Sequence, residues 1–380
     1  MTEKRALILS GGGARAAYQV GVLQALAEIL PESAHHPFPI ICGTSAGAIN
    51  AVALSAHTGS FKESVNALAS MWSELTVGDV YLHGWWDLFK SVSSLGFSLF
   101  NQGMGGKKPL SLLDNSPLWE LLGNKIRFEN IDRNIQSGKL FAIAISAMGY
   151  KSGHTVSFYQ GHPDIKGWSR YRRGGVATPL RLEHLLASSA IPTVFPTVRI
   201  NREYFGDGAL RQLAPMSPAI HLGADSLFVI GVSGNRSAAK ADKRVPVKHS
   251  PSMGQIVGHL LNSAFVDSLE GDLEHLERMN ELIRLIPEEN RKAANLQLRA
   301  VNNMVISPTS PLDAIAGRNI RYLPKSLRFF LRSTGSTAKG GGATAASYLL
   351  FSNEFITELM ELGKRDTYEK EVAVRNFFDA

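Results

Sequence analysis

Near the N-terminus, short unbroken apolar runs alternate with stretches in which apolar residues recur every three or four positions. Arg5 to Leu9 reads as a buried strand that runs into Gly11-Gly12-Gly13, and Ala16 to Leu30 carries Val20, Leu23, Leu26, Ala27 and Leu30 at helical spacing. Pro37 to Cys42 predicts a second short strand, and Ala46 to Ala56 continues as a helix rich in small residues. The succession strand, glycine loop, helix, strand, sharp turn, helix predicts an α/β fold with a mainly parallel sheet flanked by helices.

The same sheet extends further along the chain. Leu140 to Met148 and Thr155 to Tyr159 are β-like and joined by the turn-prone Tyr150-Lys151-Ser152-Gly153. Val198 to Ile200 and Glu203 to Phe205 bracket Asn201-Arg202 as a hairpin, and Leu227 to Val232 is a continuous apolar strand. From Gly234 to Ser252 apolar residues give way to Arg236, Lys240, Lys243, Arg244 and Lys248, which predicts an exposed basic loop. Met253 to Ile286 predicts a long amphipathic helix or helix pair, with Gly271 as its break. Arg332 to Ala346, rich in Gly, Ser, Thr and Ala, reads as a flexible connector. The expected organisation is a core over 1–233 with a lid-like insertion at about 78–112, a basic loop over 234–252, and a helical part over 253–380 packed on the same domain.

Composition narrows the classes. With 380 residues, 44% hydrophobic and 19% charged, the chain can bury a large core and is neither disordered nor a disulfide miniprotein. The net charge of +7 suits an anionic partner, nucleic acid or an acidic membrane surface, and equally a mildly basic soluble protein. Cys42 is the one cysteine, so an intramolecular disulfide and a thiolate metal cluster are both excluded. Lys4 and Arg5 precede an apolar run of only Ala6 to Leu9, short of a signal-peptide core, and no apolar stretch is long enough to span a bilayer. A cytoplasmic protein, peripheral at any membrane it touches, is the expectation.

Three short motifs carry candidate chemistry. Gly43-Thr44-Ser45-Ala46-Gly47 fits a nucleophile elbow, in which a serine sits on a strained strand-to-helix turn and Gly43 and Gly47 clear the space around it. The structural alternative is a tight glycine turn with an incidental serine. Gly11-Gly12-Gly13-Ala14-Arg15 also follows a strand and opens a helix, so its amides converge on an anion. As Gly11-x-Gly13-x-x-Ala16 it matches a dinucleotide fingerprint, but the next strand ends in Cys42-Gly43 without the acidic residue that a ribose requires. The other reading is an oxyanion hole, with Arg15 either a nearby positive charge or an ordinary residue at a helix start. Asp207 lies between Gly206 and Gly208, where an aspartate is usually a turn residue. None of the histidines following it sits in a glycine-rich loop after a strand, where a Ser, acid, His order would place one.

Taken together, Gly11 to Arg15, Gly43 to Gly47 and Asp207-Gly208-Ala209 resemble, in order and spacing, the three motifs of patatin-like phospholipases. Ala187-Ser188-Ser189-Ala190-Ile191-Pro192 with Phe195-Pro196 looks like the segment ahead of that family's aspartate, and Ser347 to Phe351 and Leu362 to Asp366 look like the tail of its bacterial members. The resemblance implies the patatin-like three-layer fold and a Ser45-Asp207 dyad without histidine. It also implies an oxyanion hole in the Gly11 to Gly13 loop, and cofactor-free, metal-independent hydrolysis of membrane phospholipid or another acyl lipid. Ala16 departs from it, since many members carry glycine there. Two rivals remain, a small-ester Ser-His-Asp hydrolase and a lipid-binding module without turnover.

Between Tyr81 and Lys108, the residues Trp85, Trp86, Leu88, Phe89, Val92, Leu95, Phe97, Leu99 and Phe100 precede Lys107 and Lys108. Aromatics beside lysines suit peripheral membrane contact through Trp85, Trp86 and Phe89, and a helix packed on the core would show the same pattern. The cluster Arg170, Arg172 and Arg173, near Trp168 and Tyr171, comes without any recognised nucleic-acid module. It therefore reads as a solvated loop or a lipid-phosphate contact. No cluster has metal-ligand spacing.

Overall fold

The computed structural model describes residues 3–31, 36–100, 111–233, 252–294, 299–333 and 342–379. The basic loop expected over 234–252 lies outside them except for its last residue, as do Lys107 and Lys108.

The strands are β1 (Arg5–Leu9), β2 (Ile40–Thr44), β3 (Ala142–Gly149), β4 (Thr155–Gly161), β5 (Trp168–Arg170), β6 (Arg173–Ala177), β7 (Val198–Ile200), β8 (Glu203–Asp207), β9 (Ser226–Ile230) and β10 (Asn302–Ile306). They form one sheet in the order β10-β9-β1-β2-β3-β4-β6-β5, with β8 paired to both β3 and β7. From β10 to β3 all neighbours are parallel, and the antiparallel pairs β3–β4, β3–β8, β5–β6 and β7–β8 gather towards the other side. The mainly parallel sheet flanked by helices is therefore the fold of the chain.

Alternation along β1 explains the three layers. Leu7 and Leu9 pack into one core with helices α1 (Ala17–Ile29), α2 (Ala46–Ser55) and Asn353–Tyr368. Ala6 and Ile8 point the other way and meet Met216, Leu222, Leu269 and Leu273. A strand buried on both faces needs an unbroken apolar run, which is why β1 and β9 were legible from composition alone.

Several expectations change. The break between helices Met253–Asn262 and Ser268–Leu285 is a π turn at Ser263–Asp267, whereas Gly271 lies inside the second helix with open space where a Cβ would stand. The connector expected over Arg332 to Ala346 is helical at both ends. Lys325–Ser333 and Gly342–Leu349 are helices, and 334–341 lies outside the described residues. Ala343, Ala345 and Ala346 are buried there, so small residues mark close packing. The C-terminal region also contributes β10, parallel to β9, to the sheet. The basic cluster at 170–173 is a β5–β6 hairpin whose turn places Arg172 at φ 55°. Among the described residues, no helix is long and apolar enough to cross a membrane.

Helices α1 and Asn353–Tyr368 cross at Gly21 and Gly363. A Cβ on Gly21 would lie 1.9 Å from the Met360 carbonyl oxygen, and one on Gly363 would lie 2.3 Å from that of Tyr18. Gly21→Ala is therefore expected to cost about 2 kcal/mol or more through overpacking. At the unobstructed helical position Gly271, the same substitution should stabilise by about 0.5–1 kcal/mol. Urea unfolding of both variants measures the two opposite signs.

Candidate active site

The pairing of β3 brings the two candidate residues together. β2 lies along one edge of β3 as far as Thr44 opposite Ser146, and β8 takes over that edge one residue later, with Asp207 opposite Ala147. The chain leaves β2 at Ser45, so Ser45 meets the end of β8. The Ser45 hydroxyl donates to Asp207 Oδ2 at 2.6 Å.

The local turn follows from the residues around it. Ser45 has φ 56° and ψ −129°, a left-handed backbone that strains a non-glycine residue, and α2 starts at the next position. A Cβ on Gly43 would lie 2.4 Å from the Gly47 carbonyl oxygen, and one on Gly47 would lie 2.3 Å from that of Leu9. Both glycines are thus required by backbone contact. The Ser45 amide donates to Ser188 Oγ at 2.9 Å, and Ser188 Oγ donates to the Ser146 carbonyl at 2.7 Å, which braces the turn against β3.

Asp207 is fully buried, and its Oδ1 accepts from the Ala209 amide at 2.9 Å. Burial pushes its carboxyl up to about 7, although the hydrogen bonds from Ser45 and Ala209 pull the other way. A carboxylate with this affinity can accept a proton near neutral pH. Among the described residues, no histidine bonds to Ser45 or Asp207 or lines the cavity beside Ser45.

The glycine loop packs directly on the turn. A Cβ on Gly11 would lie 3.0 Å from Ser45 Cβ, and Gly13, at φ 55°, comes so close to the Tyr348 carbonyl that a Cβ would lie 2.3 Å from its oxygen. Gln19 Nε2 holds the Ser10 carbonyl at 2.8 Å. Gly12 precedes the 3-10 turn Gly13–Ala16, which contains Ala14, and the Arg15 amide donates to the Gly12 carbonyl. The Arg15 side chain is buried and already engaged. Its Nε donates to Ser347 Oγ at 2.7 Å, its Nη2 pairs with Asp313, and its guanidinium lies 4.2 Å from the centre of the Tyr348 ring. Arg15 thus ties the loop to the C-terminal helices.

Beside Ser45 lies a narrow apolar cavity of about 40 Å³, walled by Ile49, Trp72, Leu122, Ile191, Phe195 and Phe351 among others. Its apolar lining suits the hydrocarbon part of a lipid. The sequence offered no signal for Ile49, Trp72 and Leu122, which are ordinary core positions, whereas Ile191, Phe195 and Phe351 lie in segments singled out by resemblance. Ser188 belongs to a segment singled out by resemblance, but its role as a brace becomes visible only with the fold.

The profile of the family described as patatin-like phospholipase matches residues 7–220. A cGAMP-activated phospholipase of Pseudomonas aeruginosa (strain BWHPSA011 / Pa011) is 29% identical over 217 residues, 57% of this chain and 55% of that protein. The chain thus spans about half the length of the relative it matches. Among solved structures, VipD from Legionella pneumophila aligns over 91% of this chain and 67% of that one, at 14% identity and a TM-score of 0.29, too loose an overlay to bear on the site. Because the profile match runs from the first strand past Asp207 and covers more than half of the sequence, the chain belongs to the patatin-like phospholipase family.

Proposed function

We propose that the protein is a lipid acyl hydrolase of the phospholipase A or lysophospholipase type, with Ser45 as nucleophile and Asp207 as its base. The observation that carries this reading is the 2.6 Å hydrogen bond between Ser45 and a buried carboxyl, set at the end of an apolar cavity. Family membership supports it.

In this mechanism the Ser45 oxygen attacks the ester carbonyl carbon and its proton passes to Asp207. Amides of the Gly11 to Gly13 loop and of Ala14 stabilise the oxyanion, each by a few kcal/mol. The intermediate collapses, and the departing alcohol takes the proton from Asp207. Water then attacks the acyl-enzyme, again giving its proton to Asp207; as the second intermediate collapses, the Ser45 oxygen takes that proton back and the fatty acid leaves. Trp85, Trp86 and Phe89 are the proposed points of peripheral contact with the substrate membrane.

Fatty-acid release from phospholipid vesicles in EDTA is expected from the unsubstituted protein and not from Ser45→Ala or Asp207→Asn. A fluorophosphonate probe should label Ser45 in the unsubstituted protein, and turnover that survives Asp207→Asn would refute the dyad. The relative is named for activation by cGAMP, so release is to be measured with and without that dinucleotide.

The raised carboxyl sets two pH dependences. The base must be deprotonated, so kcat/KM should rise as pH climbs through about 7 and then level off. The folded state holds the Asp207 proton more tightly than the unfolded chain does. Its contribution to stability is therefore present below the unfolded value of 3.8 and is lost as pH rises to about 7. Asp207→Asn should remove that loss, raising thermal stability at pH 8 relative to the unsubstituted protein by up to about 4 kcal/mol, with a smaller difference at pH 5.

A further inference from the structure

Helix Trp85–Phe100 presents an apolar face to solvent. Trp85, Trp86, Phe89 and Val92 are 55%, 75%, 65% and 41% exposed, while Leu88 at the edge of that stripe is buried. Helix Lys325–Ser333 touches its N-terminal end. That helix buries Ser326, Leu327 and Leu331 and turns Lys325, Phe329 and Arg332 outward, with Arg328 partly exposed. The Trp85 and Phe329 rings meet at 5.6 Å between centroids, and Ser326 Oγ donates to the His83 carbonyl at 2.6 Å. The aromatic stripe of one helix is therefore continuous with the basic stripe of the other.

Charge on this surface is one-sided. Residues 84–94 and 320–333 carry Lys90, Arg321, Lys325, Arg328 and Arg332 against a single carboxylate, Asp87. Large exposed rings beside arginines and lysines match a bilayer interface, where rings enter the headgroup layer and cations face phosphate. Large exposed rings grouped on one face mark an interaction surface. The face also connects to the candidate active site. Val80 lines the cavity beside Ser45, and Tyr81 packs against Phe195 and Phe351 of its wall, a few residues before Trp85.

We infer that these two helices form a docking face for a lipid surface of net negative charge, and that the cations of helix Lys325–Ser333 select anionic over zwitterionic membranes. The inference rests on the lipid-hydrolase reading and adds to it the class of membrane on which the enzyme works. The aromatics anchor, and the cations discriminate.

The test uses the full chain carrying Ser45→Ala, so that lipid is not consumed, in co-sedimentation with vesicles of phosphatidylcholine alone or mixed with phosphatidylglycerol. Binding to the mixed vesicles should exceed binding to phosphatidylcholine and fall with added salt. The triple variant K325Q/R328Q/R332Q should lose at least tenfold in binding to mixed vesicles and keep its binding to phosphatidylcholine. Trp86→Ser with Phe329→Ser should lose binding to both. With Ser45 intact, both variants should hydrolyse a short-chain soluble ester at the unsubstituted rate, which reports that they are folded. Mixed-vesicle binding unchanged in either variant overturns the inference. So does loss of self-association by light scattering without loss of vesicle binding, which would assign the face to a second copy of the chain. Failure of the hydrolase reading is distinct, because then the unsubstituted protein turns over no ester while its vesicle binding still responds to the substitutions.

Discussion

One edge of β3 governs the candidate site. β2 occupies that edge up to Thr44 and β8 occupies it from Asp207 onward, so two chain segments far apart in sequence end against each other. Because backbone pairing fixes the register, Ser45 and Asp207 meet without any flexible segment between them. The turn at Ser45 is strained and the carboxyl is dehydrated, and both conditions persist because the surrounding sheet leaves neither residue room to relax. The same burial that raises Asp207 towards neutral affinity is what suits it to the base role proposed for it, so the structural cost and the proposed chemistry have one cause.

The shape of the glycine loop depends on the far end of the chain. Gly13 sits against the Tyr348 carbonyl, and Arg15 binds Ser347 and Asp313, partners that lie beyond the residues matched by the family profile. Tyr348 and Phe351 also wall the cavity. A buried arginine needs both a counter-charge and hydrogen-bond acceptors, and the C-terminal helices supply them. The region outside the family match therefore helps to form the geometry of the region inside it.

Much of this was legible in the sequence because it is local. β1 and the β7–β8 hairpin are short segments whose burial pattern and turn residues are written in consecutive positions, and each glycine motif reports a contact too close for a Cβ. Ser45, Asp207 and the Gly11 loop could be named because together they resemble, in order and spacing, the motifs of patatin-like phospholipases. The Gly342–Leu349 helix was hidden because small residues serve close packing as well as flexibility, and β10 because a polar edge strand lacks a continuous apolar run.

The sequence by itself determined the buried central strands, the turns beside them and the reactive residue types, since those follow from nearest-neighbour sterics and hydrophobic periodicity. Only the tertiary structure decided that Arg15 would be an anchor to Asp313, that Ser188 would brace the Ser45 amide, and that Phe329 would lie beside Trp85. Each of those contacts joins residues more than a hundred positions apart. No local pattern encodes such a pairing, because it is fixed by which faces the whole sheet leaves available for packing.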